Sequence, residues 1–441
     1  MRIFVIGQCT LQWGRMEFGN IGNYYIVEPF FRQLHRVFPD ADIITTLQFS
    51  TEFCSREKVT CVPLSCYYAW NDEDLSIAKK EYEIALEYSK TGVMSDVTPY
   101  IGFVMTSDLI VDFSGDMCGK NADFLGPNRF LVGLLKDRVA QLLGKPTVML
   151  ASSPGPFNND DTLGFVHEVC MNFKAIENRE AISKDVMQSY GFDISNVSDY
   201  ACPAFIFDAA TIEETKTACP ENFLYEKNRP IVGFFLCGWN MLQGPFNRTD
   251  WRDDEFECYV SLLSHMIEKF DVDVCFMSHS NGFVLPPQFQ PIHGKDYLLE
   301  EIMFRLMSEA GYANHVHLLT GIYSPAVTKG IVRQFDMHIS GRIHGAVSAL
   351  SQSIPTLIID YGHEPKAHKL RGFAKVADVE DCIATPGRPT NLIEKAEYIW
   401  NNKSAISDRL KKRNIEYIRP LIEKMFDDLQ NIIDIKQEDS F

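Results

Sequence analysis

No two cysteines in this chain stand at C-x-x-C spacing, although twelve are scattered singly from Cys9 to Cys382. A disulfide scaffold would be shorter and far denser, so the thiols read as reduced. Basic residues are in the minority: 42 Lys and Arg against 59 Asp and Glu leave a net charge of −17. That balance disfavours a nucleic-acid polyanion as partner. No stretch approaches the ~18 consecutive apolar residues of a spanning helix. The opening run from Met1 to Gly7 passes directly into polar loop chemistry, with no cleavable apolar region behind it. The expectation is a cytoplasmic protein without a transmembrane segment. Neither G-x-G-x-x-G nor G-x-x-x-x-G-K-[ST] occurs, which disfavours a dinucleotide fold or an NTPase. Asn196, Asn247 and Asn402 begin glycan-acceptor triplets, read as chance matches because nothing directs the chain to a secretory lumen.

What is present is a globular composition, 441 residues long and 46% hydrophobic, enough for two domains or three. Short β-branched and aromatic runs alternate with longer amphipathic stretches, the pattern of parallel sheets with crossover helices. Strands are expected at 2–7, 42–47, 109–114, 147–152 and 174–177, with helices at 24–38, 74–89, 129–143, 160–172 and 179–190. Periodicity is lost over 208–229, and strand and helix then alternate again from 231 to 360. The fold class predicted is α/β, with two Rossmann-like αβα domains facing a cleft and a C-terminal helical segment. The boundaries expected are 1–208 for the first domain, 209–229 for a linker, 230–390 for the second domain and 391–441 for the helical tail. Pro420 is expected to break or kink that tail.

In such folds ligands bind beyond the carboxyl ends of strands. The most informative loop there is Ser340-Gly341-Arg342-Ile343-His344-Gly345, between an expected strand and an expected helix. A helix N-terminus and the Arg342 fork suit an anion, and His344 beside it suits proton transfer near neutral pH. A histidine that merely packs under the loop is the competing reading. Arg179 follows the last strand of the first half, where an ordinary ion pair with a neighbouring acid is the alternative. Glycine-bearing turns at 19–23, 114–116 and 153–157 either approach a ligand or simply turn the chain. His279 and Asp296 either face the cleft or are simply loop and N-cap residues, with the cap reading favoured for Asp296. Tyr361, His363, Glu364, Lys366 and His368 cluster after a strand, at spacings that match no standard metal-ligand set, so no metal is assigned.

Taken in order, these residues resemble the polysaccharide pyruvyl transferase family. The resemblance is carried by the Asn20-Ile-Gly-Asn23 turn, Gly155-Pro156-Phe157, Arg179-Glu180 with Ser183, Pro203-Ala204-Phe205, His279 and Asp296. It continues through Asp336-x-x-x-Ser340-x-Arg342-x-His344, Pro355 and Lys366. It implies a fold similar to GT-B glycosyltransferases, and transfer of a pyruvyl group from phosphoenolpyruvate to two hydroxyls of a sugar. The product would be a cyclic ketal on a cell-surface polysaccharide or its lipid-linked precursor, with phosphate released and no cofactor. By the resemblance His344 is the general acid, while Arg179, Arg342, Gly345 and Lys366 hold the donor. Asn20, Asn23, Asp116, His279, Tyr361 and Glu364 are candidate acceptor or cleft residues. Cys202 and Asn23 stand where the family usually has Asp, and Ser114-Gly115-Asp116 where it commonly has a run of glycines.

Two other readings stay open from the sequence: a glycosyltransferase using a nucleotide sugar, and a non-catalytic member that binds a glycan. The loops 238–252 and 280–295, with Trp239, Trp251 and Phe283, are where acceptor contacts are expected. A lipid-linked acceptor would bring the protein to the inner membrane face, although its acidity argues against binding anionic lipid by charge alone.

Overall fold

The computed structural model describes residues 1–158, 160–243, 248–362 and 367–438. Two compact units emerge. The first is assembled from residues 1–16, 30–202 and 421–441, the second from 17–29 and 203–420.

The first unit is built on β1 (Arg2–Ile6), β2 (Asp42–Thr45), β3 (Val59–Cys61), β4 (Leu109–Asp112), β5 (Thr147–Ser152), β6 (Ala175–Asn178) and β7 (Val197–Asp199). These form one sheet in the order β3-β2-β1-β4-β5-β6-β7, with every pairing parallel. Every residue of β4 and β5 is buried, which is why these strands read as continuous apolar runs rather than alternating ones. Phe4, Ile110, Tyr100 and Val132 belong to one apolar cluster, and Phe130, Met149, Ile176 and Phe157 to another. The helix Arg129–Leu142 contributes to both and is buried almost all round, including Arg129, Lys136 and Asp137. Buried charge requires partners. Lys136 Nζ meets Glu81 Oε2 at 2.5 Å, and Arg129 lies over the Tyr68 ring with its Cζ 4.4 Å from the centroid.

The second unit repeats the plan with β8 (Ile231–Phe235), β9 (Asp273–Phe276), a separate antiparallel hairpin of β10 (Asn281–Val284) and β11 (Gln290–His293), then β12 (Val316–Leu318), β13 (Met337–Ser340), β14 (Thr356–Ile359) and β15 (Ile383–Ala384). Its sheet runs β12-β9-β8-β13-β14-β15 and is parallel throughout. Each of the two sheets therefore starts in its middle, builds one flank, and returns to build the other. That is the Rossmann-type order.

The expected alternation is present, with differences at the edges. β3, β7 and β15 are two or three residues long, too short for a strand period to register. The 280–295 loop is a hairpin, obscured in the sequence by Pro286, Pro287 and Pro291. The 209–229 stretch contains the helices Ile212–Ala218 and Asn222–Tyr225, the first opened by a capping box between Thr211 and Glu214. In the tail the break falls just before Pro420, in the wide turn Asn414–Ile418, and Pro420 takes the first turn of Arg419–Glu438. A first-turn N–H has no intrahelical acceptor, so proline is tolerated there. Among the described residues, no helix is long and apolar enough to cross a membrane.

Candidate active site

In the second unit the strand order reverses between β8 and β13, and a parallel sheet opens a crevice beyond the carboxyl ends at such a reversal. The segment leaving β13 occupies that point. Gly341 N donates to Phe235 O at 2.7 Å, so the chain stays tied to the end of β8 before turning into the helix Ile343–Leu350. Ser340 Oγ donates to Arg342 O at 2.9 Å and accepts from Arg342 N at 3.3 Å. This hydroxyl brace sets the Ser-x-Arg turn and leaves Arg342 extended as the residue before the helix.

Arg342 is gripped by Asp296. Nε donates to Asp296 Oδ2, and Nη2 donates to Oδ1 at 2.6 Å. The N-cap reading of Asp296 is thereby corrected: Lys295 takes the cap position, and the Asp296 side chain is turned to the arginine. A bidentate pair uses two of the five guanidinium N–H groups. The side chain keeps 21% of its surface exposed, so the remaining donors can reach a ligand. Burial works against the guanidinium charge, but Asp296, Cys237 and Tyr361 outweigh it and hold the group firmly protonated.

One helical turn beyond Asp296, Glu300 is fully buried and its Oε1 accepts from Leu236 N at 2.6 Å. Burial pushes its carboxyl well up, and the charge of Asp296 adds to this. Its helix thus holds both the arginine and the carboxyl end of β8. Neither Glu300 nor the Asp296–Arg342 pairing was anticipated from the sequence. The i, i+4 spacing of the two acids on one predicted helix was the available signal.

His344 stands in the first turn of the helix Ile343–Leu350, with its ring edge-on to Phe373 at a centroid distance of 5.6 Å. On its other side lies Gly22, at the start of the helix Ile21–Val37. A Cβ at position 22 would fall 2.5 Å from His344 Cβ and 2.7 Å from Nδ1. Asn20 sets up that approach, since its Oδ1 accepts from Gly22 N at 3.0 Å, its O accepts from Asn23 N at 2.9 Å, and its backbone bridges to Ser280. Asn20 thus acts here through backbone order. Gly345 has a packing reason to be glycine: a Cβ there would stand 2.7 Å from Ser340 Oγ and 3.0 Å from Phe235 Cδ2.

His279 follows β9 and is buried between the Tyr25 and Phe235 rings, each with a centroid 5.4 Å away. Neither ring nitrogen has a hydrogen-bond partner among the described residues. Burial, followed by the charges of Arg342 and His344, holds it well below the usual histidine range. It is therefore a neutral imidazole at working pH. Tyr361 is buried at the end of β14, 6.2 Å from the Trp239 ring. Glu364 and Lys366 lie outside the described residues.

Arg179 and Asp116 belong to the first unit. Arg179 is buried at the carboxyl end of β6, with its Nε donating to Ser153 Oγ at 3.1 Å. Glu180 accepts from Ile182 N at 2.7 Å and from the Ser183 hydroxyl, so it serves the start of the next helix. Arg179 and Asp116 both act on the Cys9 thiol, which burial pushes up to about 12, with Asp116 adding and Arg179 opposing. They therefore converge around the ends of β1, β4 and β6.

Comparison with known proteins agrees with this architecture. By structure the chain is similar to a glycosyltransferase from Rickettsia africae, with a TM-score of 0.56 at 11% identity over 98% of this chain and 97% of that one. It is similar to Anabaena HepE solved with UDP, with a TM-score of 0.54 at 11% identity over the whole of both chains. It also resembles a putative UDP-N-acetylglucosamine 2-epimerase from Listeria monocytogenes, with a TM-score of 0.53 at 9% identity over 96% and 94%. At such identities these likenesses establish the GT-B type of fold alone. No curated protein matches the chain in sequence. The sequence model of polysaccharide pyruvyl transferases matches residues 20–363, a span that includes Arg179, Asp296, Arg342 and His344 and stops short of Glu364 and Lys366. The chain belongs to the polysaccharide pyruvyl transferase family.

Proposed function

We propose that this protein transfers the pyruvyl group of phosphoenolpyruvate to two hydroxyls of one sugar, in a cell-surface polysaccharide or its lipid-linked precursor. A cyclic ketal forms and inorganic phosphate is released. The observation that carries the reading is the juxtaposition of a firmly charged, partly exposed Arg342, the residue before the helix Ile343–Leu350, with His344 in the first turn of that helix. Phosphoenolpyruvate packs carboxylate and phosphate onto few atoms, and an arginine fork at a helix N-terminus is suited to either.

His344 donates a proton to the methylene carbon, which becomes a methyl group and leaves C2 electrophilic. A sugar hydroxyl attacks C2, phosphate departs with the bridging electron pair, and the second hydroxyl closes the ring. The two hydroxyl protons restore His344 and protonate the departing phosphate. Arg342 and the helix terminus stabilise charge on the phosphate as it leaves. Arg179 is proposed as a second donor-binding arginine, and Lys366 as a third cation. Gly345 is proposed to offer the donor its backbone N–H in the first turn of the helix. His279 and Tyr361 are assigned to the acceptor side with Asn20, Asn23, Asp116 and Glu364, the neutral His279 ring offering a hydrogen bond to a sugar hydroxyl.

The test is the melting temperature of the protein with phosphoenolpyruvate, phosphate and a panel of nucleotide sugars, since a ligand that binds only the native state must raise it. A rise with phosphoenolpyruvate that Arg342→Ala and Arg179→Ala both lose is expected. A rise confined to a nucleotide sugar overturns the reading in favour of glycosyl transfer.

A further inference from the structure

At the far end of the helix that carries His344, six residues and about 9 Å along its axis from that histidine, the second unit holds a separate cavity of about 250 Å³. Two cations, Lys411 and Arg419, line it, together with Ser353 and the apolar side chains of Ile206, Ile415 and Ile418, and no carboxylate is among the lining residues. In a chain of net charge −17 this is a marked local inversion. Residues 403–419 carry Lys403, Arg409, Lys411, Lys412, Arg413 and Arg419 against only Asp408 and Glu416, so 6 − 2 leaves +4.

Most of those cations are engaged. Arg409 pairs with Asp381 at 2.9 Å, Lys412 stands 3.9 Å from Glu416, Lys403 lies over the Trp400 ring, and Arg413 lies over Tyr417 while donating to Val376 O. Lys411 and Arg419 have no ion-pair partner among the described residues. They are the two that border the cavity.

A simpler account would make these two cations the electrostatic cap of the helix C-terminus. The carbonyls there are already served. Leu350 O accepts from Asn414 Nδ2 at 2.8 Å and from Ser353 N at 3.0 Å, Ala349 O from Gln352 N at 2.9 Å, and Ser348 O from Gln352 Nε2 at 2.9 Å. The cap is built from amides, and the charges remain over.

The apolar side of the cavity continues outward. Ile415, one of the lining residues, is 63% exposed, a greasy edge next to the positive lining. The volume lies below the roughly 300–1,000 Å³ of sites that enclose drug-sized ligands, so it suits a headgroup with a few carbons rather than a nucleotide sugar.

We propose that this cavity is a second anion site, separate from the candidate active site, that binds the phosphate of an ester whose remainder is apolar. Lys411 and Arg419 hold the phosphate, Ile206 and Ile418 pack against the first carbons, and Ile415 receives the chain as it leaves. The same chemistry is offered by a soluble alkyl phosphate and by a phospholipid headgroup in a bilayer.

The experiment titrates the full-length protein with inorganic phosphate and with decyl phosphate below its micelle concentration, and sediments it with phosphatidylcholine vesicles with and without phosphatidylglycerol. Decyl phosphate is expected to bind at least 10-fold more tightly than inorganic phosphate. The double variant Lys411→Glu with Arg419→Glu should weaken it at least 10-fold, and Ile415→Asp should abolish the preference for the alkyl ester. Co-sedimentation with phosphatidylglycerol vesicles, lost in the double variant, assigns the site to a lipid headgroup. Decyl phosphate binding without co-sedimentation assigns it to a soluble ester. Equal binding by wild type and double variant, or no binding of decyl phosphate, overturns the proposal. Arg342→Ala should leave decyl phosphate binding intact, and the double variant should keep its melting response to phosphoenolpyruvate, so failure here and failure of the pyruvyl-transfer reading are told apart. That retained response also shows that the double variant folds.

Discussion

Asp296 holds Arg342 through both carboxylate oxygens, across 46 residues of sequence, and so fixes the plane in which the guanidinium meets the crevice at the β8/β13 reversal. Asp296→Ala should leave that plane unset and the arginine charge poorly compensated. Removing one partner of a fully buried pair costs about 3–5 kcal/mol, and the solvent that reaches Arg342 lowers the expected loss to about 2–3 kcal/mol. Urea unfolding reads the loss, and a donor titration should show a KM raised by about 10-fold or more with a smaller change in kcat.

His344→Gln keeps a polar side chain of similar reach without a group that transfers protons near neutral pH. Turnover should fall by about 10²–10⁴, the usual worth of a general acid, while the phosphoenolpyruvate-dependent rise in melting temperature persists. Near-normal phosphate release by this variant would remove His344 from the chemistry.

Gly22→Ala tests the placement of the same ring from the other side. The added methyl group would stand 2.5 Å from His344 Cβ, so the imidazole must shift. The expected result is a fall in kcat of about 10-fold or more, since displacement of a catalytic group by about 1 Å is enough. Helix propensity by itself would favour alanine over glycine at an ordinary helical position, so reduced activity without reduced helicity on circular dichroism separates the two effects.

Glu300 predicts a contrast between two substitutions. Glu300→Gln keeps an acceptor for Leu236 N and should change stability little. Glu300→Leu leaves that buried amide without its acceptor and should cost about 1–3 kcal/mol. Chemical denaturation of the pair of variants checks this.

Lys329 supplies a pH dependence. It is buried, its Nζ donates to Phe207 O at 2.6 Å, and burial lowers its pKa to about 7, with Arg333 and Arg419 assisting against Asp208. Between about pH 7 and 10.5 the unfolded chain binds the proton that the folded one has released. Stability due to this group therefore rises with pH across that window, and the full cost of burying the charge is present below it. Lys329→Met should remove the rise: relative to wild type, the variant gains more in melting temperature at pH 7 than at pH 10. An unchanging difference would place the lysine charge elsewhere.

The parallel sheets were legible because their central strands are buried on both faces and appear as unbroken apolar runs, as in 109–112 and 147–150. The edge strands β3, β7 and β15 were not, because two or three residues carry no period. At the site, the Ser-x-Arg-x-His turn was visible because its spacing lies within one loop and one helical turn. The partners that give the turn its geometry come from distant segments: Gly22 from the first helix, Asp296 and Glu300 from another. A residue such as Asp296, at a helix start, has a good local explanation as a cap, and only the fold reveals that an arginine 46 positions away has the stronger claim on it.

The interleaving of the two units limits how this enzyme can be taken apart. A fragment cut cleanly at residue 203 and expressed alone would carry Arg342, His344, Asp296 and Glu300, yet lack residues 17–29. Its histidine would have lost the glycine surface it rests on, and the Ser280 backbone its bridge to Asn20. Such a truncation tests an altered pocket, so swaps between relatives should exchange residues 17–29 together with 203–420, and leave 421–441 with the segment that begins the chain.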